Sequence, residues 1–524
     1  MPATSRSGLL LVIAALAVIG AAAVTHVAAR PGPADLYHSL ADESLIHPLA
    51  LKAACPDLYR RDVWIADAEG IFSRLYSRLL GPFLAGADHP GRVAWALSAV
   101  PRGLFLLGAF LLALRWTRSR WSGLVLVALL LLPGATGFSI APGQALPRDF
   151  VFALLPFVLL ALPGDGRRAP LFAAGTALGL GLAANLHPLT GLHIFMLAGP
   201  AFVLFAPRRR ILTAIVQPPA FALGALPYVL DFLAAPRAGF GSAEALTARV
   251  PDLVSVSASS LLVTFGPLAL LLAGPLALRL PGLAAPRRLL CLLTLAALFA
   301  LPGGIVTAEV AALTQLQLLR FTRILGFLAL IPAAALLGSL FAHRGLRPDR
   351  LIASALVLLL LFTSAIQEHW LERGGRRLFG RLPPFAPPAP PRPRGGELAG
   401  RPEADRAAYL AFTARCRRET PRDTLFLVPP EDFSHFRLYA RRSLVVDRKS
   451  GGFAVTLLGR RGLDWLAQYR EVVALYARGD AAALLEYCRA KDVDFVVAEL
   501  PGDDFTLPVV IREGPFVLHA VPSR

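Results

Sequence analysis

Long runs of Leu, Ala, Val, Phe and Gly alternate along the chain with short polar breaks. The runs have the length that crosses a bilayer, about 20 residues at 1.5 Å each. The first covers Leu9 to about Ala29; the others cover 92–114, 122–141, 149–163, 170–186, 189–206, 211–235, 256–278, 288–308, 321–340 and 350–367. This pattern predicts an α-helical polytopic membrane protein of about eleven transmembrane helices. Val27-Ala28-Ala29 loosely matches a cleavage site, but the run before it is long for a secretion signal and many spans follow. An uncleaved first helix is therefore expected. Prolines such as Pro218-Pro219 fall inside spans, which membrane helices tolerate when neighbours satisfy the freed backbone groups.

After 367 the pattern changes. Pro383-Pro384-Phe385-Ala386-Pro387-Pro388 reads as part of a stiff, extended spacer. From about 401 the grammar is that of a soluble fold: a helix from Glu403 to Arg418, strands at Thr424–Val428 and Ser443–Val446, and helices around 462–477 and 480–490. A strand at Val493–Val497 and a closing hairpin from Val509–Ile511 and Phe516–Ala520 complete it. The chain thus divides into a transmembrane domain, 1–367, with a long first loop, 30–91; a Pro-rich linker, 368–400; and a small α/β domain, 401–524.

Charge sets the orientation. Arginines cluster in alternate loops: Arg115, Arg118 and Arg120; Arg167 and Arg168; Arg208, Arg209 and Arg210; Arg279, Arg287 and Arg288; Arg344, Arg347 and Arg350. By the positive-inside rule these loops and Arg6 are cytoplasmic. The opposite loops, 30–91, 142–148, 187–188, 236–255 and 309–320, then face outward together with everything after 367. The expected location is the inner (cytoplasmic) membrane, with the C-terminal domain periplasmic or extracellular. The net charge of +18 is placed mainly for topology, so it argues against a nucleic-acid partner. At 55% hydrophobic and 17% charged residues, a wholly soluble chain is excluded. The four cysteines make no CxxC pair and no zinc spacing. Oligomeric state has no signature here.

Ionisable groups near a membrane are costly and therefore mark function. Here they gather in the outward loops. Loop one carries Asp35, His38, Asp42, Glu43, His47, Asp62 and Asp67; loop two carries Arg148 and Asp149; His187 and His193 follow; Glu309, Gln315, Gln317, Arg320 and Arg323 precede or open a late span. Asp42, Glu43 and Asp62 are candidate general bases, since a carboxylate beside a polar cavity can take a proton from an attacking hydroxyl. The competing reading is an acid-rich helix start. Arg148, Arg320 and Arg323 are candidate phosphate ligands, with Gln317 a turn before Arg320, because the guanidinium fork matches phosphate oxygens. Interfacial snorkelling is the alternative. His187 is a candidate donor or proton shuttle, against a helix-boundary role. The i,i+4 pairs His38/Asp42 and Glu43/His47 leave room for a divalent cation, but Pro48 follows at once and no metal site is assigned. Arg437, Arg441, Arg442, Asp447, Arg448 and Lys449 form a charged run read as a solvated or head-group-facing edge.

One first helix, a long acid-bearing loop, about ten further spans and an external C-terminal domain together resemble the GT-C superfamily of membrane glycosyltransferases. The chain resembles more closely an uncharacterised family of bacterial polytopic proteins near that superfamily. The stretches that carry the likeness are Asp42-Glu43-Ser44-Leu45-Ile46-His47-Pro48, Cys55-Pro56-Asp57-Leu58-Tyr59-Arg60-Arg61-Asp62-Val63-Trp64, Pro147-Arg148-Asp149, Leu186-His187-Pro188-Leu189-Thr190-Gly191, Gln317-Leu318-Leu319-Arg320 and Arg442-Ser443-Leu444-Val445-Val446-Asp447-Arg448-Lys449. The resemblance implies a polyprenyl-phosphate sugar donor, an acidic base in loop one (Asp42 or Glu43) and basic residues (Arg148, Arg320 or Arg323) at the lipid phosphate. Loop one lacks an Asp-x-Asp and has only the adjacent pair. Two rivals stand beside this reading: a transporter or flippase for a lipid-linked glycan, and a non-catalytic envelope assembly protein. The first would carry an inverted repeat of broken helices, and none is visible.

Overall fold

The computed structural model describes residues 43–69, 71–131, 140, 145–162, 168–206, 208–235, 286–305, 320–342, 403–430, 433, 435–499 and 505–522. Three short helices come first: α1 (Glu43–Ala54), α2 (Val63–Ala68) and α3 (Arg74–Ala85). The apolar series follows: α4 (Pro90–Thr117), α5 (Arg120–Leu131), α6 (Pro147–Phe152), α7 (Leu155–Leu160), α8 (Ala169–Ala184), α9 (Pro188–Leu204), α10 (Arg210–Ala234), α11 (Pro286–Ile305) and α12 (Phe321–Ala342).

Among the described residues, three stretches are long and apolar enough to cross a membrane: Pro90–Thr117, Arg210–Ala234 and Arg323–Phe341. α5, α8 and α9 are shorter apolar helices. The expected spans at 9–29, 256–278 and 350–367 lie outside the described residues. One span differs from expectation. Instead of a single helix over 149–163 there are two short ones, α6 and α7, joined at Ala153-Leu154. Pro156 explains the break, because it has no N–H to return to the preceding turn.

Helix starts follow their sequences. Proline stands in the first turn of α4, α6 and α9, where its missing N–H costs nothing. Packing in the bundle depends on small residues. A Cβ on Gly181 of α8 would lie 2.2 Å from the Phe221 carbonyl, and one on Gly224 of α10 would lie 2.4 Å from that of Leu178. The two backbones meet face to face, as small residues allow between membrane helices. Phe105 on α4 joins three elements, with its ring 5.3 Å from Phe152 and 5.0 Å from Phe327.

The C-terminal part contains α13 (Glu403–Glu419), β1 (Leu425–Leu427), α14 (Phe436–Ala440), β2 (Ser443–Leu444), α15 (Ser450–Leu457), α16 (Arg461–Arg478), α17 (Ala481–Ala490), β3 (Phe495–Glu499), β4 (Val509–Glu513) and β5 (Phe516–Ala520). The sheet order is β2-β1-β3-β5-β4. β1 runs parallel to β2 and β3, and the β4–β5 hairpin adds antiparallel to β3. Gly514, at φ +56°, supplies the left-handed residue that the hairpin turn needs. The strands and the long helices fall where the sequence pattern puts them. The short helices α14 and α15 were not anticipated.

The hydrophobic core of this sheet is not confined to it. Leu45, Ile46, Leu49, Tyr59, Trp64 and Ile65 from loop one share one buried cluster with Tyr409, Phe412, Phe426, Phe436 and Trp465. The Phe72 and Phe453 rings meet edge to face at 5.6 Å. Residues 43–86 therefore pack as part of the C-terminal layer while also seating on the bundle.

Candidate active site

Loop one is fastened to one end of the bundle by backbone acceptors. Ser73 Oγ caps α3 by accepting from Tyr76 N at 3.0 Å, and donates to the Asn185 carbonyl. Tyr76 Oη donates to the Ala145 carbonyl, and His47 Nε2 lies 3.4 Å from the same oxygen. Tyr228 Oη donates to Ile71 O at 3.2 Å, and Arg74 pairs with Asp231 at 3.0 Å. The α1–α3 layer thus sits over the residues that introduce α6 and α9 and end α10.

Beneath that layer lies a cluster of charge. Asp149, in the first turn of α6, is buried and pairs with Arg323 on α12 at 3.1 Å. The Arg323 guanidinium lies 4.1 Å from the centre of the Phe152 ring, a cation–π geometry. Arg148 is close enough to act electrostatically on Arg323. His193 on α9 is buried, with its ring 5.0 Å from that of Phe321. His187 caps α9: Nδ1 accepts from Thr190 N at 3.1 Å and lies 2.9 Å from Thr190 Oγ1. With Nδ1 an acceptor, the proton of the neutral ring belongs on Nε2. Arg320 stands immediately before α12, half-buried.

Of the candidates read from sequence, Arg148 and Arg323 meet around Asp149, and Arg320 and His187 stand at the starts of α12 and α9. Glu43 opens α1. Asp42 and Gln317 lie outside the described residues. Asp62 is elsewhere, wholly buried between loop one and the C-terminal part. Oδ1 accepts from Ile65 N at 3.0 Å and Arg437 Nη2 at 3.3 Å; Oδ2 accepts from Arg437 Nε at 2.7 Å and Leu444 N at 3.0 Å. A carboxylate offers about four acceptor positions, and protein donors hold all of them.

Arg437 continues this network. Its Nη1 donates to Asp447 Oδ2 at 2.7 Å and Ser450 Oγ at 3.2 Å, and its carbonyl accepts from Tyr59 Oη at 2.8 Å. Burial works against its charge, but Asp447 and Asp62 overcome that and hold it above the ordinary arginine range. Arg441 donates to the carbonyls of Leu84, Ala85 and Ala87, capping the end of α3. Arg442 donates to those of Arg417 and Thr420. Arg437, Arg441, Arg442 and Asp447 of the charged run around β2 are therefore buried, not the solvated edge its composition suggested, with loop one supplying acceptors to Arg437 and Arg441; Arg448 and Lys449 are half-buried.

Asp149 and His193 were named from sequence among the outward polar groups but given no role, and the joining of Asp62 to Arg437 and Asp447 was not anticipated. For Asp149 the signal was present: an acid at the mouth of an apolar run, next to an arginine. No group of three His, Cys, Asp or Glu able to hold a metal forms among the described residues. His38 and Asp42 lie outside those residues, and His47 Nε2 lies 3.4 Å from the Ala145 carbonyl oxygen.

Seen whole, the architecture is mostly helical, with apolar helices, a small C-terminal sheet and a layer of short helices over one end of the bundle; the fold is GT-C-like. The arabinofuranosyltransferase AftD from Mycobacteria superposes with a TM-score of 0.51 at 16% identity, over 97% of this chain and 41% of AftD. ArnT from Cupriavidus metallidurans, solved with undecaprenyl phosphate, matches 99% of each chain at 14% identity with a TM-score of 0.47. The oligosaccharyltransferase AglB from Archaeoglobus fulgidus, solved with an inhibitory peptide and a dolichol-phosphate, gives 0.44 at 12% identity, over 93% of this chain and 69% of that one. A family model described as a domain of unknown function (DUF6798) matches residues 407–473, which include Arg437 and Asp447. No curated protein sequence matches the chain.

Proposed function

We propose that this chain is a multi-pass membrane glycosyltransferase of the GT-C type. It moves a sugar from a polyprenyl-phosphate donor to an acceptor hydroxyl at the extracytoplasmic face. In this reading about eleven helices span the inner membrane, the N-terminus is cytoplasmic and the C-terminal domain lies outside. The observation that carries it is the Asp149–Arg323 pair, with Arg148 beside it, at the bundle end that loop one covers. The GT-C-like fold gives the arrangement its context.

The chemistry needs one base and one phosphate clamp. Glu43 or Asp42 takes the acceptor proton, the acceptor oxygen forms its bond to the anomeric carbon, and the bond from that carbon to the phosphate oxygen breaks. The electron pair leaves on the phosphate, where Arg148, Arg320 and Arg323 stabilise it. Asp149 orients Arg323, and the Nε2–H of His187 supplies a donor. We assign Asp62 to anchoring loop one, because its acceptor positions are taken.

The test is transfer from a polyprenyl-phosphate sugar by the full chain in nanodiscs. Glu43→Gln or Asp42→Asn lowers turnover by about 100- to 10,000-fold with normal expression, as expected for loss of a general base. Arg323→Ala lowers it through weaker phosphate binding. Full activity in both acid variants would remove the base assignment, and full activity in Arg323→Ala would remove the clamp.

A further inference from the structure

The apolar helix α4 carries a charge that the reading above does not use. Arg102 stands 12 residues after Pro90, about 18 Å along the helix at 1.5 Å per residue. It interrupts the sequence Val100-Pro101-Arg102-Gly103-Leu104 inside a stretch hydrophobic enough to span a bilayer. Arg92, Ala96, Val100 and Leu104 recur every four residues and are all exposed, so they define the face turned away from the bundle. Arg102 lies about 200° from its neighbours Val100 and Leu104, on the opposite face.

Packing along the helix is uneven. Phe105, Leu106, Ala109 and Ala113 are buried, whereas Trp95, Ala99 and Arg102 are only half-buried. A Cβ on Gly108 would lie 2.8 Å from the Phe157 ring. Gly103 falls within about 20° of Arg92 and Ala96 around the helix, so it belongs to the outward face, and a Cβ there would meet nothing within 4 Å.

Arg102 Nε is buried and has no hydrogen-bond partner, and among the described residues no ion pair reaches this side chain. A guanidinium at this depth is costly unless an anion faces it. Arg323, on a neighbouring helix, has Asp149; Arg102 has no such carboxylate among the described residues.

We propose that Arg102 binds the phosphate of a membrane lipid that approaches from the loop-one end of α4. The planar fork suits phosphate oxygens. A tethered headgroup brings an apolar chain that can lie along the outward face at Val100, Gly103 and Leu104, whereas a soluble anion would have to leave water alone. Arginine side chains lean toward the helix N-terminus, so the fork points back toward the end where headgroups lie. The phosphate belongs to a bulk anionic phospholipid or to an isoprenoid phosphate, and the inference holds whether or not the chain transfers sugar.

The experiment compares the full chain with Arg102→Gln and Arg102→Lys, each purified and reconstituted in three nanodiscs. One contains phosphatidylcholine alone, one adds phosphatidylglycerol, and one adds undecaprenyl phosphate. Lipid retained after transfer to uncharged detergent is counted by native mass spectrometry. Wild type retains a phosphate lipid, and the nanodisc that yields it identifies the source. Arg102→Gln retains about tenfold less or lower still, in line with loss of a charge-assisted contact, and Arg102→Lys is intermediate. In delipidated detergent Arg102→Gln unfolds at no lower a temperature than wild type, and only wild type gains stability when the lipid is returned. Equal retention by Arg102→Gln overturns the proposal. So does absence of phosphate lipid on wild type, or a marked loss of stability in delipidated Arg102→Gln, which would reveal a protein partner.

Discussion

Arg437 and Arg323 are both arginines facing aspartates, yet their settings differ in kind. Arg437 is wholly buried between two wholly buried acids, Asp62 and Asp447. Asp447 is itself saturated: it accepts from Lys449 N, Ser450 N, Ser450 Oγ and Arg437. Arg323 pairs with Asp149, retains 23% side-chain exposure, rests on an aromatic face and has Arg148 nearby. The first site has no capacity left for a ligand and joins two distant parts of the chain. The second places Arg148 and Arg323 around Asp149 at the bundle end that loop one covers, and guanidinium groups there suit phosphate oxygens. Saturated acceptors, more than burial, mark Asp62 and Asp447 as scaffold.

The sharpest way to break this comparison is to remove Arg437. Arg437→Ala leaves two buried carboxylates without their counter-ion, which costs about 3–5 kcal/mol. The expected result is a large fall in unfolding temperature and protease cleavage within 43–86 and 403–522 of the full-length protein. Asp62→Asn keeps the shape and is expected to cost about 1–3 kcal/mol, with transfer activity preserved per folded molecule. If Asp62→Asn abolished turnover while the chain stayed folded, Asp62 would return as the base and the scaffold assignment would fail.

Why one arginine was legible and the other was not follows from distance along the chain. Arg323 stands at a predicted span start with an apolar run after it, so its cost and its interest show locally. Arg437 lies in a run of mixed charge that normally faces water, and the acid that neutralises it is 375 positions away. No local pattern encodes such a pairing. The C-terminal strands and long helices were legible because apolar alternation and helical spacing are local. The short α14 and α15 were not, since helices of 5 and 8 residues give too little periodicity. Asp149 was visible as an acid at a membrane edge, but its pairing with a helix more than 170 residues later was not. Arg102 was hidden by averaging, one charge within a long apolar window.

A smaller effect per site comes from two histidines at the same junction. Burial, opposed only by the Ala145 carbonyl, lowers His47 to about 4. Burial and then the neighbouring His47 and Lys449, against Asp447, lower His435 to about 4. Both rings are neutral in the folded chain, while the unfolded chain protonates near the ordinary value of 6.5. The unfolded state therefore binds protons first. Stability is full above that value, falls as pH drops toward about 4, and levels off below it, with each histidine contributing on the order of 1–3 kcal/mol. Unfolding temperature measured across this window checks it. His47→Gln and His435→Gln should each flatten the acid limb, and an unchanged limb in the double variant would assign the acid sensitivity to other groups.

The smallest effect isolates burial itself. Arg61, like Arg437, faces two aspartates and links loop one to the C-terminal part: Asp494 at 2.7 Å and Asp492 at 2.8 Å. Here Asp492 is 92% exposed and Asp494 35%, so water already solvates the charges and screens their attraction. Arg61→Ala should therefore cost less than about 1 kcal/mol and less still in high salt. Leu425 N donates to Asp494 Oδ2 at 2.7 Å, so that carboxylate keeps a partner when Arg61 is gone. Unfolding of Arg61→Ala and Arg437→Ala at two salt concentrations makes the contrast direct, since ion type, partner number and the parts joined are the same in both. A salt-insensitive loss at Arg61 as large as that at Arg437 would mean that the number of links between loop one and the sheet domain, and not their desolvation, holds the junction together.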